Sequence, residues 1–120
     1  MTKTLFPFLF LVGLASSALA GDREGLQRGK ASWYHEPQRT ATGCRFDPSA
    51  MTAAHRTLPF GTVVRVTNLT SQRSALVRIN DRGPYRKGRI IDVSRAAAKE
   101  LRMINAGTAT VTLEIVAPES

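Results

Sequence analysis

The stretch TVVRVTNLTSQRSALVRINDRGPY, residues 62 to 85, carries the strongest fold signal in the sequence. Residues 62–69 and 75–80 are rich in β-branched and aliphatic side chains, and a short polar segment separates them, which predicts a β-hairpin. The second strand is expected to end at Asp81, because Gly83 and Pro84 favour a turn. Asp81 is therefore expected either to act as a catalytic carboxylate at the rim of a β fold or to bond the amides of the turn.

Further strands and one helix are predicted outward from this hairpin. Residues 108–116, TATVTLEIV, alternate apolar and polar side chains as a half-buried strand does, and residues 89–92, RIID, are a shorter strand candidate. Ser94 can cap a helix that runs through three alanines and ends near residues 105–107. Several short strands, one helix and long loops predict a small closed β-barrel, since closure leaves no strand edge unpaired.

The first 20 residues have the pattern of a secretory signal peptide. Lys3 precedes an apolar run that is too short to cross a membrane, and the segment ends in Ala-Leu-Ala, which predicts cleavage after Ala20. Gly21 would then begin the chain, so we expect no lipid anchor at a cysteine. We predict a signal peptide at 1–20, a short polar lead at 21–29 and one barrel domain at 30–117.

The net charge of +8 favours polyanionic partners such as nucleic acid, lipid headgroups or wall polymers. Export makes nucleic acid the weakest of these. We expect a soluble monomer in the periplasm or cell envelope, with no nucleic-acid partner and no transmembrane segment. A basic surface protein that binds nucleic acid or anionic membranes stays as a minor alternative, which steep salt dependence without glycan preference would favour.

Four motifs together resemble the RlpA (rare lipoprotein A) family of bacterial wall proteins. The segments are ASWYH (31–35), TATGCRFDPSAMTAAHRTLPFGT (40–62), VRINDRGPY (77–85) and GRIIDVSRAAAKEL (88–101). The resemblance implies a mainly β fold, a six-stranded double-psi β-barrel with one short helix. It also implies an endolytic lyase that cleaves peptidoglycan glycan strands lacking stem peptides and leaves 1,6-anhydro products. The same barrel occurs in expansin-like wall-loosening proteins.

The resemblance places Asp81 and His55 in the catalytic site. Hydrolysis of a glycoside normally uses two carboxyl groups, but a lytic transglycosylase uses the 6-hydroxyl of the sugar as its nucleophile. One carboxyl, Asp81, can then act as acid and afterwards as base, with His55 in a supporting role. Asp92 lies two residues before Ser94, and we expect it to stabilise the start of the helix rather than to act in catalysis.

Cys44 departs from the family pattern, in which an acidic residue of the catalytic site commonly follows the TA-x-G motif. A thiol is a weak hydrogen-bond donor that stays mostly protonated at neutral pH, so it cannot supply a negative charge to the transition state. Three hypotheses stay open: Asp81 works alone with reduced activity, the site binds glycan without cleaving it, or Glu36 or Asp47 reaches the gap. The competing function is therefore a non-catalytic glycan-binding or wall-loosening module.

The remaining candidates concern ligand binding. Aromatic rings stack on sugars and guanidinium groups bind carboxylates, so we expect a substrate-binding set of Trp33, Tyr34, Thr52, Arg82 and Tyr85. Arg56, like Arg82, could meet muramyl carboxylates. A metal site of Cys44, His35 and His55 matches no structural zinc spacing, and we expect no metal and no cofactor. Because the sequence ends at Ser120, we expect no appended septum-targeting domain.

Overall fold

The computed structural model describes residues 26–34, 40, 41, 43 and 47–118 of the 120-residue chain. The predicted signal peptide, Cys44, His35 and Glu36 lie outside the described residues. Within them, six strands and one helix follow in the order β1 (Leu26–Trp33), β2 (Thr52–Ala54), β3 (Val63–Asn68), β4 (Ser74–Asp81), β5 (Arg89–Val93), α1 (Arg95–Glu100) and β6 (Thr108–Ala117).

The six strands form a closed barrel in the order β1-β5-β2-β4-β3-β6. The predicted hairpin is confirmed, because β3 and β4 pair antiparallel with Val64 opposite Val77. β6 is long enough to pair with both β1 and β3, which closes the barrel. Two pairs of strands, β1 with β5 and β2 with β4, run parallel. Together with the antiparallel pair of β2 and β5, these pairs bring the C-terminal ends of β1, β2, β4 and β5 to the same part of the barrel.

Alternate residues of the strands fill the barrel interior, as the period of two requires. The fully buried strand residues are mostly β-branched, and α1 with the segment after it adds Leu101 and Met103. Each buried aliphatic side chain contributes about 1.5–3 kcal/mol relative to an exposed position. The strand residues of the contiguous core cluster that are at most 2% exposed are Ala31, Ala53, Val64, Val66, Val77, Ile79, Ile91, Val93, Val111 and Leu113.

Two boundaries differ from the sequence-based expectations. β1 begins at Leu26, inside the stretch predicted as a polar lead. Residues 26–32 form a strand because their backbone pairs with β6, and this pairing does not require apolar side chains. Helix α1 ends at Glu100, since Leu101 is its C-cap and Arg102 has a φ of +57°. Ser94 is the N-cap, as predicted, and its Oγ accepts a hydrogen bond from the Ala97 amide.

In the part of the chain that the structure describes, no helix is both long enough and apolar enough to cross a membrane.

Candidate active site

A row of four paired residues crosses the barrel at Asp81. A register shift between β2 and β4 sets Asp81, the last residue of β4, opposite Ala54. Ala54 also pairs with Asp92 of β5, and Asp92 pairs with Ser32 of β1. Residues paired across neighbouring strands lie on the same face of a sheet. Ser32, Asp92, Ala54 and Asp81 therefore form one row, which we call the carboxylate row, with a methyl group between the two acids.

Three hydrogen bonds hold the Asp81 carboxylate, and the side chain is 8% exposed. Oδ1 accepts from the amides of Ala41, at 2.6 Å, and Arg82, at 2.9 Å. Oδ2 accepts from the Tyr34 hydroxyl at 2.7 Å. A carboxylate offers about four acceptor positions, two on each oxygen. Donors among the described residues fill both positions on Oδ1 and one of the two positions on Oδ2. Oδ1 is therefore fixed by two main-chain amides, whereas Oδ2 keeps one acceptor position that no described donor fills.

Tyr34 is the side-chain partner that the sequence did not indicate for Asp81. It follows β1, and its amide donates to the Val93 carbonyl at 3.0 Å, so pairing with β5 fixes its position. Burial, the hydrogen bond to Asp81 and the charges of Asp81 and Asp92 raise the pKa of the Tyr34 phenol well above its usual value. The hydroxyl therefore keeps its proton throughout the neutral range and donates it to Oδ2.

Asp92 belongs to the site and does not cap the helix. Ser94 supplies the cap, whereas Oδ1 of Asp92 accepts from the Ser32 hydroxyl at 3.0 Å. The alternation in β5, where Ile91 and Val93 are fully buried and Asp92 is half-buried, could have placed Asp92 on the opposite face to the core. Two strand spacings separate Asp92 from Asp81, so their Cα atoms are about 10 Å apart. No cluster of acidic, histidine and cysteine side chains within the described ranges could hold a metal ion.

His55 contacts the Asp81 main chain but not its carboxylate. Its amide donates to the Asp81 carbonyl at 3.1 Å. Its ring Nδ1 accepts from the amides of Thr57 and Leu58, both at 3.1 Å, so Nε2 carries the proton and faces Oε1 of Gln27 at 3.0 Å. Burial, followed by the charges of Arg56 and Arg82, lowers the pKa of His55. A neutral His55 thus fixes the loop that follows β2.

Arg82 connects the same loop to the end of β4. Its Nη1 donates to the carbonyls of His55, at 3.1 Å, and Leu58, at 2.9 Å. The guanidinium also lies 4.0 Å from the centroid of the Phe60 ring, which is a cation–π contact. Gly83 follows with a φ of +118°, a conformation that disfavours residues with a side chain, and the chain turns there.

The other predicted binding residues differ in exposure. Trp33 is half-buried and packs against the core, whereas Tyr85 is 74% exposed beside Gly83. The Thr52 hydroxyl is buried and forms no hydrogen bond with any residue that the structure describes. Tyr34 is brought to Asp81, and Cys44 lies outside the described residues.

The relatives with similar sequences are much longer than this chain. The "Probable endolytic peptidoglycan transglycosylase RlpA" of Nostoc sp. (strain PCC 7120) is 62% identical over 77 residues, which cover 64% of this chain and 21% of that protein. The "Endolytic peptidoglycan transglycosylase RlpA" of Neisseria meningitidis serogroup A is 50% identical over 98 residues, covering 79% of this chain and 41% of that protein. The RlpA protein of Campylobacter jejuni is 41% identical over 117 residues, 95% of this chain and 38% of that protein. The chain thus spans about a fifth to two-fifths of the length of these relatives.

Solved structures and a family model identify the fold. Streptomyces papain inhibitor has a TM-score of 0.62 at 24% identity, covering 76% of this chain and 94% of its own. An expansin of Clavibacter michiganensis has a TM-score of 0.57 at 19% identity, covering 79% of this chain and 52% of its own. These low identities establish the fold alone. The family model described as lytic transglycolase matches residues 26–113. The chain therefore belongs to the lytic transglycolase family and folds as a double-psi β-barrel.

Proposed function

We propose that this protein is an endolytic peptidoglycan transglycosylase, with Asp81 as its acid and base. The observation that carries the proposal is the Asp81 carboxylate, which is held rigidly through Oδ1 while Oδ2 keeps one acceptor position that no described donor fills. Family membership and the names of the relatives support peptidoglycan as the substrate.

The proposed reaction needs one carboxyl group and no water. Protonated Asp81 gives its proton to the oxygen between MurNAc and GlcNAc as the bond from that oxygen to C1 breaks. The 6-hydroxyl of the same MurNAc attacks C1, and Asp81 takes up the proton that this hydroxyl loses. The products are a GlcNAc-ended strand and a 1,6-anhydro-MurNAc end. Because the nucleophile belongs to the substrate, its effective concentration is high without a second protein carboxylate.

Tyr34 suits both protonation states of the acid. Its hydroxyl donates to Oδ2 when Asp81 is ionised. A phenol oxygen also accepts hydrogen bonds, so the hydroxyl can rotate and accept from Asp81 when Oδ2 carries the proton. Asp92 adds a second negative charge along the carboxylate row, where a positively charged sugar ring would form. His55 and Arg82 act as positioning residues, because both tie the loop after β2 to the main chain at Asp81.

A second candidate function follows from Cys44. With a thiol in the place of the family's acidic residue, the barrel would bind glycan without cleaving it. The two functions differ in one measurement, the release of anhydro-sugar products from purified strands.

The test uses glycan strands stripped of stem peptides, with mass spectrometry of the products. We expect slow release of 1,6-anhydro ends by the parent protein, no release by Asp81→Asn, and faster release by Cys44→Glu. Glu100→Gln serves as the matched control, because it makes the same change from acid to amide at an exposed position at the end of α1. If neither the parent nor Cys44→Glu releases anhydro ends but both bind the strands, the non-catalytic function is correct.

We also propose that the protein acts after export, as a monomer in the cell envelope. The N-terminal sequence supports this, since residues 1–20 have the three regions of a signal peptide. The sequence of the first residues of the mature protein should begin at Gly21, and light scattering should give the mass of one chain. An intact Met1 on the protein from the envelope fraction would contradict the export proposal.

A further inference from the structure

A cavity beside the proposed catalytic carboxylate opens between the start of β1 and the loop after β2. Its volume is about 450 Å³. The lining residues are Gln27, Arg28, His55, Arg56, Thr57 and Ile90. Ile90 packs tightly against β1, since a Cβ at Gly29 would lie 2.7 Å from the Ile90 side chain. The cavity is therefore lined by β1, β5 and the loop after β2, and two exposed arginines belong to its lining.

This cavity lies close to the carboxylate row. Arg56 follows Ala54 by two residues, and Ile90 precedes Asp92 by two residues. Two residues of extended chain span at most about 7 Å, so each lies within that distance of a member of the row. Ala54 is the neighbour of Asp81 on the next strand. A glycan strand that places one sugar at Asp81 can thus reach the cavity with a neighbouring sugar.

The cavity is positive and rich in donors. Arg28 and Arg56 are exposed, and neither forms an ion pair with a carboxylate of the described residues, where Arg65 with Glu114 is the pair observed. No acidic side chain from those residues lines the cavity. The His55 ring Nε2 donates to the side-chain oxygen of Gln27, so the amide hydrogens of the Gln27 side chain stay available as donors. The charge of Arg56 also contributes to the lowered pKa of His55, as expected for a positive local potential.

A carboxylate is the anion that these groups match on a glycan strand. Guanidinium groups bind carboxylates through paired N–H donors. On a muramyl residue without a stem peptide, the lactyl group ends in a free carboxylate, whereas a stem peptide converts it into a neutral amide. We propose that Arg28 and Arg56 form a subsite for this lactyl carboxylate. The inference rests on the proposed glycan function, and it gives a physical reason for a preference for strands that lack stem peptides.

The experiment compares two forms of one MurNAc–GlcNAc tetrasaccharide, with lactyl groups either as free carboxylates or as methylamides. Binding is measured by calorimetry in the Asp81→Asn protein, and cleavage of both forms is measured in the parent. We expect the free carboxylate to bind about tenfold more tightly, as two exposed arginine–carboxylate contacts allow. Arg28→Gln and Arg56→Gln should each reduce this ratio about threefold, and the double variant should bring it close to one.

Arg73→Gln is the matched control, because it removes the same charge from an exposed position before β4, about 26 Å along that strand from Asp81. It should leave the tenfold ratio unchanged. A double variant that still prefers the carboxylate tenfold, in binding or in cleavage, would refute the subsite while the glycan function stands. A protein that binds neither tetrasaccharide would refute the glycan function itself, and the subsite with it.

Discussion

Replacement of Asp81 by Asn and by Ala separates its chemical role from its structural role. In Asp81→Asn, the side-chain oxygen can still accept from the amides of Ala41 and Arg82, and the new amide group can donate to the Tyr34 oxygen. In Asp81→Ala, all three donors lose their acceptor. Both variants lose the proton carrier, so both should lose cleavage, whereas their stabilities should differ.

The stability difference follows from the number of bonds. Each partly buried donor left without an acceptor costs about 1 kcal/mol at the low end of the measured range, so Asp81→Ala should lose about 3 kcal/mol. For a domain of this size, 1 kcal/mol shifts the Tm by about 4–8 °C, which gives a fall of at least about 12 °C. Asp81→Asn loses mainly the charge of the acceptor, about 1 kcal/mol, and its Tm should fall by about 4–8 °C.

The assay pairs thermal melts by circular dichroism with the release of anhydro ends from stripped glycan strands. We expect cleavage by both variants to fall at least about a hundredfold, the usual scale for a general acid. Parent-like cleavage by Asp81→Asn would show that another group is the acid. An Asp81→Ala protein that melts within about 3 °C of the parent would show that the three hydrogen bonds do not stabilise the turn.

Three further predictions concern the surroundings of this carboxylate. Tyr34→Phe removes the donor to Oδ2, so cleavage should fall about tenfold and the Tm by about 4–8 °C, whereas the Glu100→Gln control should change neither. Asp92→Asn removes a negative charge but keeps the oxygen that accepts from the serine on β1, so cleavage should fall at least about tenfold with little change in Tm. Ser94→Ala loses the helix cap, so in the same two assays its Tm should fall with little change in cleavage. The pKa of His55 in the folded protein lies below its usual 6.5. As the pH drops below about 6.5, the unfolded chain therefore binds a proton at His55 that the folded protein does not bind, and the Tm should fall. This fall should be smaller in His55→Gln, and equal slopes in the two proteins would contradict the argument.

The elements that were predicted correctly are those whose signal is local. The β3–β4 hairpin and β6 show their strand period directly, and the Ser94 cap precedes a run of alanines. The start of β1 was not predicted, because Leu26 to Lys30 gain their strand structure from pairing with residues about 80 positions later in the chain. The end of α1 depends on Arg102, whose positive φ has no signature in its residue type.

The site was predicted in the same uneven way. The position of Asp81 at a strand end followed from the turn residues after it, and the structure places it there. Its partner Tyr34 lies 47 residues away in sequence and was expected to stack on sugar instead. Asp92 was assigned to the helix because it lies two residues before Ser94, although its neighbours across the sheet are Ala54 and Ser32. Contacts between distant strands depend on barrel closure, and periodicity along one segment carries no information about them.

The two oxygens of Asp81 differ in their hydrogen bonds, and the proposed mechanism gives them different roles. Oδ1 accepts from the amides of Arg82 and of Ala41 in the loop after β1, so the carboxyl group stays in place when Oδ2 gains or loses a proton. A single fixed acid is sufficient where the substrate supplies its own nucleophile, which is the proposed reaction. An acidic residue at position 44, which the family pattern assigns to the catalytic site, would then add negative charge without moving a proton. Cys44 should therefore slow cleavage without abolishing it, and Cys44→Glu should accelerate cleavage while its products still end in 1,6-anhydro sugars.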